Sequence, residues 1–324
     1  MLNTKLAFLF PGQGSQSVGM GKDLAAAYSV AQQTFDEADA ALGYKLSQLC
    51  FEGPEEKLKL TEITQPAILT VSVAAFRVLR EKGIVPAFVA GHSLGEYSAH
   101  VAAGTLNFAD AIRAVCSRGK YMQEAVPVGE GAMAAILGMA SDEVRRVCQE
   151  AAQDGVCSPA NLNSPDQTVI SGSKSAVELS GSKSAVERAA ELAKSRDAKK
   201  AVMLAVSAPF HCALMQPAQV RLAEDLRKLN FQPMQVPLIK NIDAEPTSDP
   251  INAREALIHQ VTGAVQWVNS MRKLIELGAE AFVEVGPGKV LSGLMRQIDR
   301  SQSCLNVEDE ASLQKTMPVL ALGS

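Results

Sequence analysis

Short apolar runs alternate along the chain with longer stretches whose apolar residues recur every three or four positions, so strands and helices take turns. Lys5–Phe10 is a run cut off by Pro11-Gly12-Gln13-Gly14, which predicts a strand ending in a turn. Gln65-Pro66 predicts the start of a helix carrying Ile68, Leu69, Val71, Val73, Phe76, Val78 and Leu79, with Gly83 as its stop. Ala87–Ala90 predicts a second buried strand, followed by the turn Gly91-His92-Ser93-Leu94-Gly95 and a helix of small residues. Val236–Asn241 and Ala281–Val285 predict further buried strands, the latter ended by Gly286-Pro287-Gly288. The alternation predicts an α/β fold whose mostly parallel sheet is covered on both faces.

From Gly129 to Leu204 the order changes. Strand Ala132–Leu137, helix Asp142–Ala152, a strand, strand Thr168–Ser171, a helix and strand Ala201–Leu204 follow one another. That β-α-β-β-α-β order predicts a ferredoxin-like small subdomain at 129–204, inserted into a core formed by 1–128 and 205–324. Within it, SGSKSAVE occurs twice, at Ser171–Glu178 and again at Ser180–Glu187. Each copy holds a Ser-x-x-Glu capping box, Ser175/Glu178 and Ser184/Glu187. Nine residues turn a helix through about two and a half turns, which would put Val177 and Val186 on opposite faces. One copy is therefore expected in a packed helix and the other in a solvated loop or overhanging turn.

Composition narrows the function classes. The 324 residues are 47% apolar, with a formal net charge of −4. Such a chain has room for about two domains of roughly 150 residues. Mild acidity argues against nucleic-acid binding, which needs a basic face. The first apolar stretch is too short for a signal peptide, and no run of about 18 apolar residues predicts a membrane span. Six scattered cysteines without a C-x-x-C pair or zinc spacing predict free thiols in a reduced, cytoplasmic setting, and no metal site.

Gly91-His92-Ser93-Leu94-Gly95 matches G-x-S-x-G, a serine held on a sharp turn between strand and helix with its hydroxyl exposed. The following helix aims backbone N–H groups at developing negative charge. A serine needs a base beside it. Of the four histidines, His92 adjoins the serine on the turn, His100 lies too far along the helix, and His259 sits on an amphipathic helix. His211, just after the insert, is left as the best base. Pro11–Gln16 lacks the third glycine and the distal acid of a dinucleotide loop; an amide donor for an oxyanion suits it better. Asn161 and Asn163 precede Pro165, where either turn chemistry or binding accounts for them.

Six segments in order, PGQGSQ (11–16), GHSLGEYSA (91–99), RGKYMQ (118–123), GAMA (131–134), the His211 segment and EVGPGKVL (284–291), resemble the malonyl-CoA:acyl carrier protein transacylases through nearly the whole chain. The resemblance implies an α/β-hydrolase-like core plus the small subdomain, and ping-pong transfer of malonyl from the coenzyme A thioester to acyl carrier protein, without a cofactor. It implies Ser93 as nucleophile, His211 as base, and the amides of Gln13 and Leu94 as oxyanion hole. Gln260 matches the residue whose carbonyl orients the histidine, Arg118 the binder of the malonyl carboxylate, and Asn161 and Asn163 residues lining the acyl or coenzyme side. Phe210 resembles an aromatic wall that excludes methylmalonyl. The family also implies a monomer. Docking of an acidic carrier protein onto a chain of net negative charge needs a local basic patch. Acetyl would leave the arginine unpaired, at about 3–5 kcal/mol, or 10²–10³-fold or more in discrimination. Cys212, beside the base, is expected to be buried and inert. A serine hydrolase or thioesterase, a polyketide-type acyltransferase and a non-catalytic docking module are the alternatives.

Overall fold

A computed structural model describes residues 5–127, 129–153, 155–174, 184–204, 206 and 208–322. Its strands are β1 (Leu6–Phe10), β2 (Phe88–Gly91), β3 (Gly131–Leu137), β4 (Cys157–Ser164), β5 (Gln167–Ser173), β6 (Lys200–Met203), β7 (Leu238–Ile239), β8 (Pro246–Thr247), β9 (Ala281–Val285) and β10 (Cys304–Val307). They form two sheets. The larger, in order β10-β9-β1-β2-β7-β8, is parallel except for its last pair. The smaller, in order β4-β5-β3-β6, is antiparallel.

β1 is central in the larger sheet, and all five of its residues are buried. Phe8 and Phe10 pack on one face with helix Thr61–Glu81, while Ala7 and Leu9 pack on the other with Trp267, Met271 and Leu274. Both faces of the parallel sheet are thus covered, which is why its central strand reads as a continuous apolar run.

The long helix begins at Thr61, four residues before the predicted start, and holds Pro66 inside it. Leu60 accounts for the difference: its carbonyl accepts from the Ile63 and Thr64 amides at 2.8 and 2.7 Å, closing a turn before the proline is reached. This helix has the length and apolar content of a membrane span, beyond what the sequence predicted, but its apolar window is 83% buried inside the protein. The strand predicted at Val236–Asn241 contracts to two residues, because Pro237 has no N–H and joins only through its carbonyl, 3.1 Å from the Val89 amide. β8 and β10 were not predicted.

Helices Ser141–Ala152 and Ala185–Ser195 cover one face of the smaller sheet through Val144, Val147, Val186 and Ala189. The second repeat copy starts the latter helix, with Ser184 and Glu187 forming both bonds of the capping box. In the first copy, Ser171–Ser173 close β5, and the Ser175/Glu178 box lies outside the described residues. Asn161 and Asn163 lie on β4 rather than in a turn. There the small sheet is tied to the core: the Leu162 amide donates to the Val265 carbonyl at 2.9 Å, and the Val265 amide to Ala160 at 2.8 Å.

Candidate active site

Close backbone approach shapes the turn that carries Ser93. A Cβ on Gly91 would stand 1.9 Å from the Gly95 carbonyl carbon, and one on Gly95 would stand 2.1 Å from the Phe10 carbonyl oxygen. Both positions therefore need glycine. Ser93 itself has a φ of +53°, a left-handed conformation that costs about 1–3 kcal/mol and persists because its surroundings hold it. Asn241 is part of that hold. Its Oδ1 accepts from the Ser93 amide at 2.7 Å, and its Nδ2 donates to the Gly91 carbonyl at 2.6 Å.

Ser93 Oγ lies 2.7 Å from His211 Nε2. His211 Nδ1 lies 2.8 Å from the main-chain oxygen of Gln260. A carbonyl only accepts, so Nδ1 carries the hydrogen and Nε2 is bare, ready to accept the serine proton. Burial first, and the positive charge of Arg118 second, push the His211 pKa down to about 3. The ring is neutral at physiological pH.

Arg118 rises from helix Phe108–Glu124 and is 1% exposed. Its Nη1 donates to Gln65 Oε1 at 2.8 Å; its Nη2 donates to Gln260 Oε1 at 2.8 Å and to Ser93 Oγ at 3.2 Å. All three acceptors are neutral, and Nε has no partner among the described residues. A buried cation held only by two amide oxygens, a hydroxyl and the face of Tyr97 is ready to take a carboxylate, which a guanidinium grips with two parallel bonds.

A cavity of about 560 Å³ opens over Ser93. Gln13, Leu94, Asn161, Asn163, Phe210 and Arg118 all line it, so the structure brings every sequence-predicted site residue except Gln260 to the wall, and Gln260 lies directly behind. Asn163 does more than line it: its Oδ1 meets His92 Nε2 at 2.9 Å, and the His92 ring leans on Trp267. His92, which also lines the cavity, is thereby held by Asn163 and Trp267. His100 is buried beside Phe231, and His259 is exposed. Cys212 is buried with its thiol on the Pro209 carbonyl, and burial pushes its pKa up, as an inert thiol requires.

Sequence reasoning missed Gln65, Glu96 and Asn241. Glu96 stands within GHSLGEYSA and Asn241 ends a predicted strand, but neither placement announces a role. Glu96 Oε2 accepts from Gln260 Nε2 at 2.7 Å, which joins the carboxyl to the same network.

Residues 7–318 match the acyl transferase domain family. A malonyl CoA-acyl carrier protein transacylase of Salmonella typhimurium is 48% identical over 97% of this chain and 99% of its own length. That of Bacillus subtilis is 47% identical, covering 98% of each. Among solved structures, an acyl carrier protein S-malonyltransferase from Vibrio cholerae superposes with a TM-score of 0.92 at 47% identity, over 97% of this chain and 100% of that one. A malonyl-transacylase in complex with the holo acyl-carrier protein of a type II PKS does so with a TM-score of 0.91 at 47% identity, over 96% and 98%. With Ser93, His211 and Arg118 gathered at one cavity, the chain belongs to the acyl transferase domain family and, within it, to the malonyl CoA-acyl carrier protein transacylases.

Proposed function

We propose that the chain transfers malonyl from malonyl-CoA to the phosphopantetheine thiol of holo-acyl carrier protein through a malonyl-Ser93 ester. In the first half, the serine proton passes to His211 Nε2 as Oγ bonds to the thioester carbonyl carbon. The amides of Gln13 and Leu94 receive the oxyanion. The C–S bond then breaks, and the departing sulfur takes the proton from His211. In the second half the carrier thiol gives its proton to His211, its sulfur attacks the ester carbon, and Oγ recovers the proton as it leaves. The Gln260 carbonyl steadies the imidazolium that forms in each half.

The observation that carries this reading is the buried Arg118 guanidinium 3.2 Å from the nucleophile, with no carboxylate partner among the described residues. It also explains how the substrate activates the base. Burial is the larger cause of the low His211 basicity, and the share that comes from the Arg118 charge is cancelled when a malonyl carboxylate pairs with that guanidinium. Acetyl brings no such charge, so the base stays depressed and the arginine unpaired. A plain hydrolase needs no such cation, and its base is oriented by a carboxylate where this chain uses a main-chain carbonyl.

The finer architecture fits the same reading. The order β4-β5-β3-β6 with two helices on one face is that of a ferredoxin-like unit, which supports the division into 129–204 and a core of 1–128 with 205–324. The serine turn at the carboxyl end of β2 supports a hydrolase-like core. Phe210 lines the cavity next to the base in sequence and, in this reading, crowds a methyl on the malonyl α-carbon. The test is intact-mass measurement after mixing with malonyl-CoA. A malonyl adduct on Ser93 that persists in water and disappears on addition of holo-carrier protein is expected. Rapid hydrolysis without acceptor, or undiminished transfer by Ser93→Ala, overturns the assignment.

A further inference from the structure

A buried carboxyl stands behind the reacting residues and has no part in the steps above. Glu96, the second residue of helix Gly95–Ala102, is fully buried. Its Oε2 accepts from Gln260 Nε2 at 2.7 Å and from the Asn241 amide at 3.3 Å. Its Oε1 has no partner among the described residues. Gln260 turns its other amide atom to Arg118 and its carbonyl to His211, while Asn241 holds the Ser93 amide. One carboxyl therefore braces the two residues that position nucleophile, base and guanidinium.

Its charge matters as much as its bonds. A carboxylate with a bare oxygen in a dry interior is costly, and a protonated carboxyl far less so. Tyr97 faces it from the next position of the same helix, and Arg118 from helix Phe108–Glu124. Asp243, itself paired to Lys240 at 2.7 Å, faces it from the Asn241 segment, and His211 is bonded to the main-chain oxygen of the same Gln260. Burial dominates, lifting Glu96 to about 8 against the opposing hydrogen bonds and Arg118. An ionised Glu96 would give Arg118 a resident counter-charge, and an incoming malonate would meet a partly neutralised site.

Resting on the reading of Arg118 given above, we propose that Glu96 is a positioning and selectivity residue that works as a neutral acid. It sets the Gln260 amide with Oε1 toward Arg118 and keeps the guanidinium uncompensated for a substrate carboxylate.

Single-turnover loading of Ser93 from malonyl-CoA and from acetyl-CoA, measured from about pH 6 to about pH 9.5, tests this. The ratio of the two rates cancels what is common to both thioesters. In the wild type the ratio is expected to hold below about pH 7 and then fall by up to about tenfold per pH unit as Glu96 ionises. In Glu96→Gln, which keeps an acceptor for Gln260 and cannot ionise, the ratio is expected to stay level. A wild-type ratio level to about pH 9.5, or a Glu96→Gln ratio that falls in step with the wild type, overturns the proposal. Arg118→Ala separates the two readings. If it leaves the ratio unchanged, the assignment of Arg118 fails; if it abolishes malonyl preference while Glu96→Gln tracks the wild type, only the assignment of Glu96 fails.

Discussion

At Ser93, residues far apart in sequence converge on one hydroxyl: Arg118 lies 25 positions away and His211 118. These three were legible because each supplies chemistry that few side chains can, inside a short and specific segment. Gln65, Asn241 and Glu96 were not, because amides and a neutral carboxyl that merely hold others in place leave no local pattern. Arg118 yields a sharp prediction. Lysine keeps the charge but loses the two-pronged grip and the simultaneous bonds to Gln65 and Gln260. Arg118→Lys is expected to lower malonyl kcat/KM by about 10–100-fold while acetyl turnover changes little, so that the gap between substrates narrows. Equal losses for both would assign Arg118 to supporting the serine turn instead of binding the carboxylate.

Helices and strands whose apolar period is long were readable to within a few residues; those shortened by proline were not. Two-residue strands such as β7 and β8 carry too few side chains to show a period. Helix Gly95–Ala102 was readable, and it offers two tests. Gly95→Ala drives a Cβ into the Phe10 carbonyl oxygen, which is rigid β1 backbone, and is expected to cost several kcal/mol and the activity with it. An alanine variant with unchanged melting temperature would show that the turn can shift. The second test concerns His100, whose ring nitrogens have no partner among the described residues. Burial pushes its pKa from 6.5 down to about 3. The unfolded chain takes up a proton near the ordinary value while the folded one does not. Stability is therefore complete above about pH 6.5 and falls toward about pH 3, by about 1.4 kcal/mol per pH unit. His100→Leu is expected to remove that share of the acid slope, read from urea midpoints at about pH 7 and about pH 4.5. His211 and His92, both lowered by burial, retain theirs. Parallel slopes in wild type and variant would show that His100 does not stay neutral in the folded protein.

Across the whole molecule, the duplicated nonapeptide tests how the small sheet is joined to its second helix. β5 ends on Ser171-Gly172-Ser173, and Gly172 pairs with both Ala132 and Cys157. A Cβ there would lie 1.9 Å from the Val156 carbonyl oxygen, so the strand needs glycine at that register. Because the repeat is exact over SGSKSAVE, excising Ser171–Leu179 puts Ser180-Gly181-Ser182 into the same three positions and leaves the Ser184/Glu187 cap intact. That variant is expected to fold and to transfer malonyl within a fewfold of the full chain. Excising Ser171–Glu178 is one residue shorter and behaves differently. It places Leu179 after Ile170 and Ser180 at the glycine position, against the Val156 carbonyl, and every later side chain of the strand changes face. Since β5 lies between β4 and β3, and Asn161 and Asn163 of β4 reach the cavity, the misregister is expected to lower both melting temperature and transfer rate. Parallel measurement of the two deletions decides the matter: equal behaviour would mean that β5 does not depend on its glycine, and loss of activity in the nine-residue excision alone would give the extra copy a role in the reaction.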